Sequence, residues 1–103
     1  MVDPDVLKAR LNLDTGRLDW PMLARHFARG AVIVVAAGTD LVEVAAALVE
    51  DEHGRLADWL AEGRVAKATD ADAEGWQART AVFWAVVVAP WVLVQEIQPA
   101  GMP

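Results

Sequence analysis

The most hydrophobic stretch of the chain reads V-F-W-A-V-V-V-A-P-W-V-L-V, from Val82 to Val94, and is interrupted only by Pro90. β-Branched side chains pack well on a pleated surface, so the valine run at 86–88 favours extended structure. Apolar residues fill both alternating sets of positions, which indicates a strand covered on both faces. Because proline cannot donate to a ladder, Pro90 favours a bend. The pattern predicts two strands, over about 82–88 and 91–97.

Two shorter segments upstream predict further strands. The run A-V-I-V-V-A at 31–36 is wholly apolar and rich in β-branched residues, so it predicts a buried strand. Residues 64–68 predict a short one. Four helical patterns are opened by good N-cap residues, and the first three are followed by glycine. The caps are Asp3, Asp19, Asp40 and Thr69, and the glycines are Gly16, Gly30 and Gly63.

The third helical pattern is the longest, and its polar interruption allows two interpretations. Its apolar stripe includes Leu41, Val49 and Leu60, but Glu52 falls near the middle of that face. Either the helix breaks near Gly54, or a carboxylate points inward. We favour the break, because glycine costs about 1 kcal/mol inside a helix.

The predicted order is α-α-β-α-β-α-β-β, which is an α+β fold. We expect a small mixed sheet of three to four strands packed with about four helices. Strand–helix–strand steps favour parallel neighbours, whereas the last two strands are too close in sequence for a crossover, so any pairing between them would be antiparallel. We expect one domain over 1–97 and a flexible C-terminal tail over 98–103.

Composition favours self-association. The chain has 103 residues, of which 55% are hydrophobic, and it contains five tryptophans and no tyrosine. A small monomer has little polar surface with which to cover so much apolar material, and a subunit interface is one way to bury the excess. We therefore expect a homodimer.

Charge and cysteine content argue against several other classes. The formal charge is −6, with 15 acids against 9 Lys and Arg, so binding to nucleic acid or to an anionic membrane surface is not expected. The apolar run is too short to span a bilayer, which takes about 20 residues. The absence of cysteine excludes disulfides and thiolate zinc sites. Without a visible secretory signal, we expect a cytoplasmic protein.

Two stretches carry a family resemblance. They are L-N-L-D-T-G-R-L-D-W-P-M-L-A-R-H-F-A-R-G-A-V-I-V-V at 11–35 and F-W-A-V-V-V-A-P-W-V-L-V-Q-E at 83–96. With shorter matches between them, they resemble a small bacterial family known as domain of unknown function 2288, over about 11–96. The resemblance implies a single short intracellular domain. It assigns no activity and no functional residues.

The densest polar cluster is the candidate ligand site. It consists of Glu50, Asp51, Glu52 and His53, which we call the 50–53 cluster. Glu50 and His53 have the i, i+3 spacing with which helical di-iron proteins present two ligands, and carboxylate and imidazole groups bind several metals. The alternative, which we favour, is a solvated acidic helix end. We predict no metal and no cofactor.

Catalytic signatures are absent. The chain has neither serine nor cysteine, and the acids Asp70 and Asp72 are typical of the first turn of a helix. Thr39 and Asp40 follow a strand, where anions bind in many α/β folds, but a turn with a helix cap explains them better. The sequence therefore leans away from an enzyme.

Two tryptophans beside Pro90 are interface candidates. Tryptophan is enriched at interaction hot spots, but it is also a common core residue. For Trp84 we favour the core, and for Trp91 both interpretations stay open. The sequence thus favours a non-enzymatic interaction or regulatory module that dimerises near Trp91. The alternative is small-ligand or metal binding at the 50–53 cluster.

Overall fold

The computed structural model describes residues 3–97. The predicted α+β class is confirmed, with five helices and five strands in this range, one or two elements more of each kind than expected. The helices are α1 (Pro4–Asp14), α2 (Trp20–Ala28), α3 (Leu41–Val49), α4 (His53–Ala61) and α5 (Asp70–Ala78); the strands are β1 (Gly16–Asp19), β2 (Val32–Val35), β3 (Val65–Lys67), β4 (Val82–Val88) and β5 (Trp91–Glu96). The predicted tail at 98–103 lies outside the described residues.

The five strands form one mixed sheet in the order β1-β4-β5-β2-β3. Strands β4 and β5 form the expected antiparallel hairpin, with Val86 opposite Leu93. Strands β2 and β5 run parallel, with Ile33 opposite Leu93. The remaining neighbours, β1–β4 and β2–β3, are antiparallel.

Helices cover both faces of the sheet. Helices α1, α3 and α4 pack on one face around buried residues such as Leu41, Val86 and Leu93. Helices α2 and α5 pack on the other face, where Phe83 contacts Trp76 edge to face at 5.0 Å between ring centroids. Each face therefore has its own apolar core, and the sheet separates the two.

The prediction of a strand covered on both faces is confirmed for β5, which is central. Val92, Leu93 and Val94 are all buried. It is only partly correct for β4, where Trp84 is 43% exposed and Val87 is 65% exposed. Trp84 and Val87 point to opposite faces of the sheet, so on each face the helices leave one position of β4 uncovered.

The break in the long helical pattern is confirmed. Asp51 has a positive φ of 54°, which ends α3 and starts a new helix direction. The break turns Val49 and Leu60 outward, to 47% and 56% exposure, so their predicted burial is wrong. The break also explains why the prediction of parallel pairing between β2 and β3 was wrong. Two helices, α3 and α4, connect these strands where one was expected, and the strands therefore run antiparallel.

Strand β1 was not predicted. Its residues Gly16 and Arg17 have weak strand preference, and Leu18-Asp19 resembles the start of α2. It is held by pairing with 82–85 of β4, an interaction between residues distant in sequence. Strand β1 thus extends the sheet over only half of the length of β4.

The predicted N-caps are confirmed. The side chains of Asp3, Asp19 and Asp40 each accept a hydrogen bond from a backbone N–H in the first turn of the following helix. Thr69 and Asp72 form a full capping box. The carboxylate of Asp40 therefore caps α3, as the sequence indicated.

Candidate functional site

The 50–53 cluster does not form a converging site. Glu50 caps the C-terminus of α3 and is exposed, as are Asp51 and His53. Glu52 is half-buried and lies 3.6 Å from the guanidinium of Arg55. Because the helix breaks between Glu50 and His53, their i, i+3 spacing does not bring them onto one helix face.

Within residues 3–97, no group of three or more histidines and acids is placed to hold a metal ion. Ligand binding at the 50–53 cluster stays a prediction. Elemental analysis of the purified protein tests it, together with the stability of Asp51→Asn and Glu52→Gln.

A cleft of about 660 Å³ lies elsewhere, at the carboxyl ends of the parallel strands β2 and β5. Its wall includes the loop at 37–40, Asn12 at the end of α1, and the side chains of Trp84 and Gln95. Ligands of open α/β sheets commonly bind at the carboxyl ends of parallel strands. The location is therefore the one at which this fold would place a small-molecule site.

Gln95 fixes the shape of this cleft. Its Nε2 donates to the carbonyl oxygen of Ala36 at 2.8 Å and to that of Thr39 at 2.6 Å. Thr39 is only 8% exposed, yet its hydroxyl has no hydrogen-bond partner among residues 3–97 and is not sealed from solvent. The loop thus presents an unpartnered polar group at the cleft.

Trp84 lies at the surface of this cleft, and our preference for a core position was wrong. Its indole is 43% exposed, and the guanidinium carbon of Arg17 lies 5.7 Å from the ring centroid. Trp91 is half-buried against the core of the α1 face, and the Nζ of Lys67 lies 5.9 Å from its ring. Trp84 is therefore the more accessible of the two predicted interface residues.

The most exposed large hydrophobic residue of the sheet in the described range is Val87, at 65%. Strand β1 pairs with β4 only as far as Gly16, opposite Ala85. Residues 86–88 of β4 consequently have no outer strand neighbour among the described residues, and we call this segment the β4 edge. The β4 edge could not be predicted from the sequence, because the valines of an unbroken apolar run all look equally buried.

Charged residues flank the β4 edge on its two sides. Asp14 and Arg17 line a depression on the β1 side of Val87, and His26 and Arg29 line one on the turn side. The guanidinium of Arg29 donates to Nδ1 of His26. Neither Asp14 nor Arg29 forms an ion pair within residues 3–97.

Two ion-pair networks have structural roles. Lys8 and Arg55 contact the two carboxylate oxygens of Glu43 at 2.7 and 3.1 Å, joining α1, α3 and α4. The hydrogen bond from Lys8, and then that from Arg55, lowers the pKa of Glu43. On the other face, Arg79 donates twice to Glu96 at 2.7 Å, and these hydrogen bonds raise the pKa of Arg79.

None of the helices between residues 3 and 97 is long and apolar enough to cross a membrane.

Fold and surface together define a small α+β protein with a five-stranded mixed sheet, a polar cleft and an open strand edge. A family model described as "Protein of unknown function (DUF2288)" matches residues 6–96. The chain therefore belongs to the DUF2288 family, and the resemblance drawn from the sequence is confirmed.

A solved relative has the same fold. The chain is similar to the protein in the "NMR solution structure of PA1075 from Pseudomonas Aeruginosa", with 41% sequence identity and a TM-score of 0.81. The match covers 95% of this chain and 91% of that one. Among curated proteins, no sequence matches this chain.

Proposed function

We propose that this protein is a non-enzymatic interaction module that acts as a homodimer, with the β4 edge at the contact. The proposal rests on one combined observation at Val87. Its apolar side chain is 65% exposed, and the residue lies beyond the end of β1. An unprotected strand edge is a template for pairing with another strand.

The residue types at the β4 edge are more typical of a surface that contacts another chain than of a strand edge that stays exposed to solvent. Proteins usually protect exposed edges with lysine, proline or a bulge in the strand. Here the three edge residues are valines, and β4 continues regularly through them. Burying a valine side chain is worth roughly 1.5–3 kcal/mol, and both copies would contribute.

This proposal moves the interface away from Trp91. The indole of Trp91 already packs against the α1-face core and lies beneath Lys67. Val87 is more exposed, and it lies in the only part of β4 without an outer neighbour in the described range. Trp84 faces the cleft on the opposite side of the sheet from Val87.

Sedimentation over a wide concentration range tests the proposal. The wild-type protein should dimerise, and Val87→Asp should stay monomeric because a carboxylate cannot be buried at the centre of the pair. The matched control is Val6→Asp, since Val6 is also a valine and is 61% exposed, but lies on α1. Its dimerisation should match wild type. A wild-type protein that stays monomeric at millimolar concentration contradicts the proposal.

A second candidate function is binding of a small, neutral polar molecule in the cleft. The specific observation is the Thr39 hydroxyl, unpartnered within residues 3–97, in the same cleft as the exposed ring of Trp84. Together they offer a hydrogen bond and an aromatic surface, a combination suited to a planar heterocycle. Asp40 makes an anion less suitable.

Titration of the ¹⁵N-labelled protein with adenosine and with uracil tests this function. Binding should shift the amide signals of Thr39 and of the Gln95 side chain at lower ligand concentrations than it shifts other signals. Thr39→Val should weaken the binding without changing the fold. If neither compound shifts those signals at millimolar concentration, the proposal that the cleft binds planar heterocycles is wrong.

A further inference from the structure

We infer that the two copies join by antiparallel pairing of β4 with β4, centred on Val87, to form one ten-stranded sheet. The inference rests on the proposed homodimer and specifies its geometry. It follows from the direction of the peptide groups, the space at both ends of the β4 edge, and the charges beside it.

The hairpin register sets the direction of the peptide groups. The N–H of Ile97 donates to the carbonyl of Val82 at 2.9 Å, and the N–H of Trp20 donates to the carbonyl of Ala81 at 3.1 Å. Hydrogen-bonded pairs alternate along antiparallel ladders, so even-numbered residues of β4 bond to β5 and odd-numbered ones face β1. The N–H and carbonyl of Val87 therefore point outward, beyond the end of β1.

A two-fold axis beside Val87 satisfies both of these groups. Each Val87 would donate its N–H to the carbonyl of the other copy and accept in return, as in any hydrogen-bonded antiparallel pair. The two Val87 side chains would lie directly opposite each other on the same face. Such a contact uses the same surface on both copies, so it closes at a dimer.

The space at each end allows only a short overlap. On one side the incoming strand meets β1 at Gly16, and on the other β4 ends in the turn at Ala89-Pro90. An antiparallel partner centred on Val87 overlaps over 86–88, and its chain leaves the ladder at the Ala89-Pro90 turn, because Gly16 already pairs with Ala85. A Cβ built on Gly16 would meet no atom within 4 Å, so there is open space on the side of Gly16 to which that Cβ would point.

The charges match the same arrangement. The two-fold axis exchanges the two sides of Val87, so Asp14 of one copy approaches Arg29 and His26 of the other. Neither Asp14 nor Arg29 has an ion-pair partner in its own chain within the described residues. Two symmetric acid–base contacts would flank the valine pair and select this register over others.

Charge reversal tests the arrangement. Asp14→Arg and Arg29→Asp should each weaken the dimer by about fivefold or more, because each places like charges together at two sites. The double variant should recover most of the wild-type affinity in sedimentation. Glu50→Arg is the control, since Glu50 is an exposed acid that lines neither depression beside Val87, and it should leave the affinity unchanged.

Cysteine cross-linking gives a second measurement, and the natural chain contains no cysteine to interfere. Val87→Cys should cross-link efficiently with a short bifunctional thiol reagent, and Val6→Cys should not. A wild-type dimer without cross-linking at position 87, or without recovery in the double variant, overturns the β4–β4 pairing while the homodimer proposal stands. A monomeric wild-type protein overturns both.

Discussion

At the scale of single residues, Gln95 shows how one polar side chain shapes the cleft. It is the first polar residue after the apolar run of β5, and its amide holds the loop that follows β2. The two carbonyl groups it satisfies, at Ala36 and Thr39, belong to a turn whose residue Gly38 has a φ of 87°. The shape of this loop therefore depends on a side chain more than fifty residues away in sequence.

Gln95→Ala should destabilise the protein by about 1–3 kcal/mol, because it leaves the partly buried carbonyl of Thr39 without its donor and removes one of the two donors to the carbonyl of Ala36. Gln77→Ala is the matched control, since Gln77 is exposed on α5, and it should change stability by less than about 0.5 kcal/mol. Urea unfolding of the two variants measures the difference. If Gln95→Ala is as stable as Gln77→Ala, water replaces the hydrogen bonds of the Gln95 amide without a loss of stability.

The candidate residues were only partly predictable from the sequence. Thr39 and Trp84 were identified, but as a cap neighbour and a core residue. Val87 was not distinguished from its neighbours, because its exposure depends on where the unrelated segment β1 ends. Local patterns carry no information about the length of a strand's neighbour.

At the scale of elements, one carboxylate joins three helices. Glu43 accepts hydrogen bonds from Lys8 of α1 and Arg55 of α4, on either side of its own helix α3. Asp40 caps α3 by accepting hydrogen bonds from the backbone N–H groups of Val42 and Glu43, and the side chain of Glu43 takes no part in this cap. Its side chain instead bridges elements, which helical spacing within one segment cannot reveal.

The Glu43 network should make stability depend on pH. The lowered pKa of folded Glu43 means that its stabilisation is complete above the ordinary value of 4.5 and disappears as the pH falls through the folded value. Glu43→Gln should therefore be slightly less stable than wild type at pH 7, and the gap should shrink as the pH falls below 4.5. Urea unfolding at pH 7 and at a series of pH values below 4.5 measures this.

Glu50→Gln serves as the comparison for Glu43→Gln. Glu50 is an exposed acid at the end of the same helix and has no ion-pair partner in the described range. It should show no such pH-dependent gap. A gap of the same size in both variants would mean that overall charge, and not the Lys8–Glu43–Arg55 contact, is responsible.

Most elements were predictable, because caps and apolar runs mark them locally. The caps Asp3, Asp19 and Thr69, and the valine-rich strands, gave boundaries within a residue or two. The relative direction of β2 and β3 was predicted incorrectly, since it depends on whether one helix or two connect these strands. Strand β1 has too little local preference to be recognised without its partner.

At the scale of the whole molecule, a single sheet separates two apolar cores, and its central strands contribute to both. Leu93 has no exposed surface and lies on the α1 face, between the neighbouring strands β4 and β2. The adjacent residues Val92 and Val94 point into the opposite core. A cavity at Leu93 would therefore affect packing near the middle of the molecule.

Leu93→Ala should cost about 2–5 kcal/mol, a large part of the total stability of a domain of this size, roughly 5–15 kcal/mol. Leu13→Ala makes the same chemical change at a position that is 84% exposed, and it should cost less than about 0.5 kcal/mol. Thermal unfolding of both variants checks the difference. Similar costs would contradict the assignment of Leu93 to a tightly packed core.

The position of β5 has a consequence for biosynthesis. Although it is the last of the five strands to be translated, β5 lies third in the sheet and supplies the parallel partner of β2. Until residue 96 has left the ribosome, the nascent chain can pair β1 with β4 and β2 with β3, but it cannot connect these two halves. Its apolar surfaces remain uncovered during that interval, and chains stalled before residue 91 would be exposed to aggregation and to chaperones.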